Sequence, residues 1–305
     1  MTSPTHLESS AQWRMGYRVV DLTIGHVLAD QAAKRGDRPY LSYLPDRRSF
    51  SFRAADRISN SLANSLLRSG VTQGSHVAVM LENCPEQLLL YFALGKIGAV
   101  AVPINTAARG QLLQYYLTQS DSVAFVTDHA LLPHFAEVRA RLPAIQRVVV
   151  ATAEGGMPDA AASLGGIDVS DYQSLLAGPD TAPDIAVKFS DLAFLLYTSG
   201  TTGPSKAIMF THAYALLYGI DQAENYGIYS TDVVYVCLPL FHANGLLSHC
   251  YGALAVGGQV ALSRRFSASN FWHEVSESGA TVLSLLGSMA NILWGQPPKD
   301  DDADN

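Results

Sequence analysis

The segment with the most chemistry in it is Thr198-Ser199-Gly200-Thr201-Thr202-Gly203-Pro204-Ser205-Lys206. Glycines at 200 and 203 let the backbone turn its N–H groups toward one point. The hydroxyls of Thr198, Ser199, Thr201 and Thr202 add short donors for phosphate oxygens, and Lys206 adds a compact positive charge. Together these are the parts of a cradle for a polyphosphate. The spacing is not that of a Walker A loop, which needs Gly, four residues, then Gly-Lys-Ser/Thr at the start of a helix. Here the lysine lies three positions past the second glycine, and Ala207-Ile208-Met209-Phe210 follows with the look of a strand. The loop should therefore join two strands, with little help from a helix N-terminus. A bare Gly/Thr-rich turn is ordinarily a solvated surface turn, so its surroundings matter.

A second group of interest is Leu238-Pro239-Leu240-Phe241-His242-Ala243-Asn244-Gly245. Taken alone, His242 reads as a hydrogen-bonded, partly buried histidine. Gly287 and Met289, in the stretch from Gly279 to Met289, read as ordinary core. Cys84, Cys237 and Cys250 are odd in number and widely spaced, which gives neither a disulfide framework nor a CxxC metal pattern. They read as reduced, mostly buried thiols, with no histidine marked out nearby to activate one.

The elements that must position these residues alternate between strand and helix. Ile58, Leu62, Leu66 and Leu67 recur at helical spacing before Gly70. Short apolar runs follow at His76 to Met80, Ala99 to Val102, Val123 to Val126, Val148 to Val150 and Leu192 to Tyr197. Pro85 opens a helix between the first two. Such runs, separated by helices, predict an α/β fold of mainly parallel sheets flanked by helices. From Ala151 to about Asp184 glycines and prolines break the pattern, with a short helix near Tyr172 to Leu176. The expected organisation is an N-terminal tail over 1–20, a first α/β subdomain over 21–185 and a second over 186–305 that carries the phosphate loop.

With 48% hydrophobic and 15% charged residues, the chain can bury a large core and is not a disordered protein. A net charge of −7 argues against a broad nucleic-acid surface. No basic stretch followed by an apolar run opens the chain, and no apolar stretch approaches the ~20 residues that span a bilayer. A cytoplasmic protein with no integral membrane segment is expected. Asp300, Asp301, Asp302 and Asp304 read as a solvated end.

The full string around the loop resembles the phosphate-loop signature of the adenylate-forming (AMP-binding) superfamily, which includes acyl-CoA synthetases, luciferases and adenylation domains of peptide synthetases. The usual signature is Thr-Ser-Gly-Thr-Thr-Gly, one residue, then Pro-Lys-Gly. In Gly203-Pro204-Ser205-Lys206-Ala207 the proline comes one position early and alanine replaces the last glycine, while the lysine stays in register. Gly95 to Asn105 resembles the family's helix-to-strand segment, Ser51-Phe52 its early Thr-Tyr signal, and Gly74 to Asn83 the strand that follows. Leu238 to Gly245 is similar to the motif whose histidine lies near the carboxylate pocket, and Gly279 to Met289 to the strand and helix that border the acyl pocket. The likeness runs from about Leu22 to Pro298 and is strongest over 197–206 and 239–245.

The resemblance is to acyl-CoA synthetases. It implies two stacked sheet subdomains, the second incomplete here, and a reaction in which a carboxylic acid, ATP and CoA give acyl-CoA, AMP and pyrophosphate through an acyl-adenylate, with Mg2+ on the nucleotide. It assigns Thr198, Ser199, Gly200, Thr201, Thr202, Gly203 and Lys206 to the phosphates, with Lys206 and His242 as the catalytic candidates. His242, Asn244, Gly287 and Met289 fall to the substrate pocket, and no residue is assigned as a metal ligand. The carboxylate is already ionised at neutral pH, so His242 positions or gates rather than acting as a base. The family's later Tyr-Gly-x-Thr-Glu and Thr-Gly-Asp motifs and its C-terminal lid domain have no counterpart here, since Tyr226-Gly227-Ile228-Tyr229-Ser230 lacks the glutamate and lies too early. The chain alone is therefore expected to lack full ligase activity. Two alternatives compete. One is a kinase using Asp221 or Asp232. The other is a non-catalytic ATP- or phosphate-binding or assembly fragment, with cut sheet edges that favour a homodimer.

Overall fold

The computed structural model describes residues 14–151, 164–198 and 205–297. Its first helix, α1 (Ile24–Arg35), starts where the Thr23 hydroxyl accepts the His26 N–H. A hairpin of β1 (Pro39–Tyr43) and β2 (Arg48–Ser51) leads into α2 (Phe52–Arg68), capped by Ser51. Then β3 (His76–Met80), α3 (Pro85–Lys96), β4 (Val100–Pro103), α4 (Gly110–Gln119), β5 (Ala124–Asp128), α5 (Leu132–Val138) and β6 (Arg147–Ala151) alternate as the apolar runs foretold. Past residues 152–163, which lie outside the described residues, come β7 (Asp168–Asp171) and α6 (Tyr172–Leu175). β8 (Leu192–Tyr197), β9 (Ala207–Thr211) and α7 (His212–Tyr226) follow, then β10 (Val233–Val236) and a π-helix (Asn244–Tyr251) running into α8 (Gly252–Val256). The series closes with β11 (Gln259–Leu262), α9 (Phe271–Ser278), β12 (Val282–Leu283) and α10 (Gly287–Trp294).

Two sheets result, in the orders β7-β6-β5-β3-β4-β8-β9 and β12-β10-β11-β1-β2. All pairings are parallel except β1 with β2 and β8 with β9. Side chains alternate across β3: Val77 and Val79 join one core, Ala78 and Met80 another. The larger core also takes Leu41, Val234 and Val260 from the five-stranded sheet, so one apolar layer joins a face of each sheet. α3 lies in that layer. It is apolar nearly all round and buried except at Glu86, as such a helix must be.

The chain does not finish one sheet before starting the other. β1 and β2 pair into the sheet of β10 to β12, while β8 and β9, with the loop between them, extend the sheet of β3 to β7. A division at 185/186 is therefore not a division between sheets, because strand partners are chosen by long-range packing that local patterns do not encode. Two smaller corrections apply. Tyr17 is 4% exposed and its hydroxyl donates to Asp30, so the packed chain begins before residue 21. The expected irregular connection contains β7, whose sequence Asp-Val-Ser-Asp carries no apolar run because it is an edge strand.

Candidate functional site

The segment expected to hold phosphate follows β8 and precedes β9, and these two strands pair antiparallel. The ladder pairs Tyr197 with Ala207, and the Thr198 N–H donates to the Lys206 carbonyl at 3.1 Å, one rung further. The structure thus brings Thr198 and Lys206 together across the mouth of the loop, both solvent-exposed. Ser199, Gly200, Thr201, Thr202 and Gly203 lie outside the described residues. The strand–loop–strand expectation holds, since β9 and not a helix receives the chain.

Two tyrosines of α4, Tyr115 and Tyr116, brace the hairpin, and Tyr197 of β8 reaches back to α4. The Tyr115 hydroxyl donates to the Ser205 carbonyl at 2.8 Å, and the Tyr116 hydroxyl lies 3.1 Å from Ser205 Oγ. The Tyr197 hydroxyl donates to the Tyr116 carbonyl at 3.0 Å, and the two rings stand 4.3 Å apart. Burial pushes the Tyr197 phenol well above its ordinary range, so it stays protonated and donating. Sequence reading missed this brace; the one signal was the adjacent Tyr115-Tyr116 pair.

The second part of the site follows β10. Asn83, 4% exposed, donates through Nδ2 to the carbonyls of Leu238 at 3.0 Å and Ser263 at 3.2 Å. Its Oδ1 accepts the Leu240 N–H at 2.8 Å. One buried amide therefore ties the end of β3 to the ends of β10 and β11, and so ties the two sheets together. His242 is exposed, with the Phe241 ring 4.6 Å away edge-on. Partial desolvation lowers its imidazole below the ordinary range, which favours the neutral ring. Asn244 begins the π-helix, half-buried. Gly245 packs where no other residue fits, because a Cβ would lie 2.6 Å from the Leu238 carbonyl oxygen and 2.8 Å from that of Pro239. Met289 is buried with Tyr235, Cys237, Leu238 and Phe271, beside the same turn. Gly287 is the exposed first residue of α10, with open space around a would-be Cβ.

Topology places both parts on one edge of the molecule. β3, β4 and β8 run parallel, so Thr198, at the end of β8, lies two strand spacings, about 10 Å, from the end of β3. Asn83 stands at that end and reaches the turn before His242. This is the carboxyl edge of the strands, where open α/β sheets hold ligands. Among the described residues no hydrogen bond or ring contact joins the loop to His242, Asn244, Gly287 or Met289.

Asp232, a candidate metal carboxylate in the kinase reading, accepts from the Tyr229 N–H and the Thr281 hydroxyl just before β10 begins, at the opposite edge. A cavity of about 480 Å³ lined by Lys34, Arg35, Ile228 and Val256 also opens on that opposite edge, apart from the loop. Among the described residues no three His, Cys, Asp or Glu side chains are grouped to hold a metal ion, and no helix is long and apolar enough to cross a membrane.

The family model for AMP-binding enzymes matches residues 28–304. A medium/long-chain-fatty-acid–CoA ligase, FadD6 of Mycobacterium tuberculosis, is 31% identical over 281 residues, covering 92% of this chain and 44% of that protein. Steroid-22-oyl-CoA synthetase of Rhodococcus jostii is 34% identical over 248 residues, covering 80% of this chain and 41% of that protein. The N-terminal domain of FACL13 from Mycobacterium tuberculosis superposes with a TM-score of 0.77 at 21% identity, over 90% of this chain and 65% of that one, a likeness of fold. The chain spans less than half the length of these curated relatives.

Proposed function

Because the chain belongs to the AMP-binding enzyme family, we propose that it is the N-terminal portion of an AMP-forming acyl-CoA synthetase, an acid–thiol ligase. A carboxylate oxygen attacks the α-phosphorus of ATP, the bond to pyrophosphate breaks, and an acyl-AMP mixed anhydride forms. The thiolate of CoA then displaces AMP to give the thioester. The first step needs positioning and charge stabilisation more than covalent help from protein. Thr198, Ser199, Thr201, Thr202 and Lys206 hold the β- and γ-phosphates, and Gly200 and Gly203 shape the backbone. Mg2+ would enter on the triphosphate, where it offsets phosphate charge. His242 and Asn244 position the carboxylate, with Gly287 and Met289 at the border of the acyl pocket. The substrate class is a carboxylic acid with an apolar body, in line with the names of the relatives. The place of action is the cytoplasm.

What carries the reading is the hairpin loop on the carboxyl edge, with Thr198 and Lys206 paired across its mouth. ATP–pyrophosphate exchange across a panel of carboxylic acids tests it, on this chain and on a longer product if the gene continues. Exchange by the longer product only is the expected result. No exchange by either, with both folded, overturns it. A second reading is favoured by Leu286, Ile292 and Trp294, which are exposed on and beside α10, Trp294 at 92%. In it the chain by itself is a non-catalytic fragment that self-associates as a homodimer. A monomer by mass in solution counts against that.

A further inference from the structure

Asn244–Tyr251 is a π-helix of eight residues, all but the first buried. Such wide turns are uncommon and recur at functional sites. Burial removes the water that would otherwise pair any loose backbone group here. Both ends of the segment are clamped. Gly245 lies against the Leu238 and Pro239 carbonyls, as described above. At the other end Gly219 of α7 crosses so closely that a Cβ would lie 2.8 Å from the Leu247 carbonyl oxygen and 2.9 Å from the Gly252 nitrogen. A helix held at both ends cannot slide; it can only wind wider or tighter between them.

A side chain bonds across that winding. His249 Nδ1 lies 2.7 Å from the Asn244 carbonyl oxygen, five residues back, which is the separation of a π-helical hydrogen bond. A carbonyl only accepts, so Nδ1 carries the proton and Nε2 is bare. Among the described residues Nε2 has no partner, so a second proton there would be a buried donor without an acceptor among them. His249 is 1% exposed, and the Tyr226 ring of α7 lies parallel to it within 5°, centroids 6.1 Å apart. The imidazole is thus fixed in the turn that begins two residues after His242.

We propose that His249 is a positioning residue: its Nδ1–H holds the Asn244 carbonyl, keeps the first turn in π register, and so sets the direction in which His242 and Asn244 face the carboxylate. The functional half of this rests on the adenylation reading above. The structural half does not.

The side chains that share one nitrogen position with histidine provide the test. Asparagine carries its amide nitrogen at the δ position and can replace the Nδ1 donor; glutamine carries it one atom further out; leucine carries none. In the full-length protein, His249→Asn is expected to keep the Michaelis constant for the carboxylate within about threefold. His249→Gln and His249→Leu should raise it about tenfold or more while that for ATP stays within about twofold, since the carbonyl keeps its backbone partner but loses its side-chain donor. Equal behaviour of the Asn and Gln variants, or equal loss for ATP and carboxylate, overturns the proposal. A readout without turnover separates it from the functional reading. In protein labelled with ¹⁵N-histidine, His249 must appear as the neutral Nδ1–H tautomer, and His249→Gln, but not His249→Asn, must shift the His242 ring resonances. An Nε2–H tautomer, or an unmoved His242 in the Gln variant, overturns it even if the protein adenylates nothing.

Discussion

The mouth of the phosphate loop and the turn at His242 both hang from carboxyl edges of parallel strands, yet they are held in opposite ways. Thr198 and Lys206 are exposed and linked through backbone, with tyrosine hydroxyls from α4 as outside props. The His242 turn is anchored from within, by a buried asparagine amide, a glycine that admits no Cβ and a buried π-helix. A triphosphate brings its own charge and many acceptor oxygens, so a cradle for it needs donors on a tolerant base. A carboxylate offers two oxygens and a short reach, so the groups that aim it must already be in place. Substitutions at the base of the loop should therefore cost chemistry before stability, and substitutions at the glycine and asparagine that anchor the His242 turn should cost stability first.

Lys206→Ala gives the sharpest form of that contrast. Pyrophosphate exchange in the full-length protein should fall about 10²–10³-fold, the effect of removing one preorganised charge-stabilising donor, with the melting temperature unchanged. Gly245→Ala should do the reverse. Its methyl would press on two backbone carbonyls, at a cost of about 3 kcal/mol in chemical denaturation. A loss below about 1 kcal/mol would break the comparison, since the turn would then be as tolerant as the loop base.

Acid should test the far end of the hairpin. His212 opens α7, is fully buried, and accepts the Ile24 N–H through Nδ1 at 3.2 Å. Burial pushes its imidazole down to about 4. The folded state therefore favours the neutral ring, and the unfolded chain takes up the proton first. Stability is complete above about pH 6.5 and falls as pH drops from there toward about 4, by about 3 kcal/mol. His212→Asn, which keeps an acceptor at the δ position, should flatten that slope in denaturation curves taken across the window; an unchanged slope would assign the acid loss to other groups. The smallest effect is expected at the props. Tyr116→Phe removes the hydroxyl beside Ser205 and should cost about 1 kcal/mol, with a modest rise in the Michaelis constant for ATP and none in that for the carboxylate.

Much of this arrangement was legible in the order of residues. The strands at His76, Val100, Ala124, Arg147 and Leu192 are short apolar runs separated by helical stretches, the pattern of a buried, mainly parallel sheet. The strand-like run after Lys206 pointed to a hairpin, and β8 and β9 form it. What was hidden depends on distance. No local pattern says that Leu41 pairs with Val260, or that Asn83 reaches Leu238 and Ser263. β7 escaped because an edge strand can be polar. His249 gave no signal at all: one histidine in an apolar stretch reads as core, and its meaning lies in a bond to a carbonyl of its own helix.

The interleaving of the two sheets also sets a timetable for synthesis. Strands β3 to β6 lie close together in sequence and can pair as soon as they leave the ribosome. β1 can pair at once only with β2, because its parallel partner β11 comes more than 200 residues later. At roughly 5–20 residues per second that is a delay of about 10–40 s, during which one side of β1 has only solvent or chaperone to meet. The nascent chain thus carries an open strand edge through most of its translation, and conditions that slow elongation between β2 and β11 should raise aggregation without altering the finished fold.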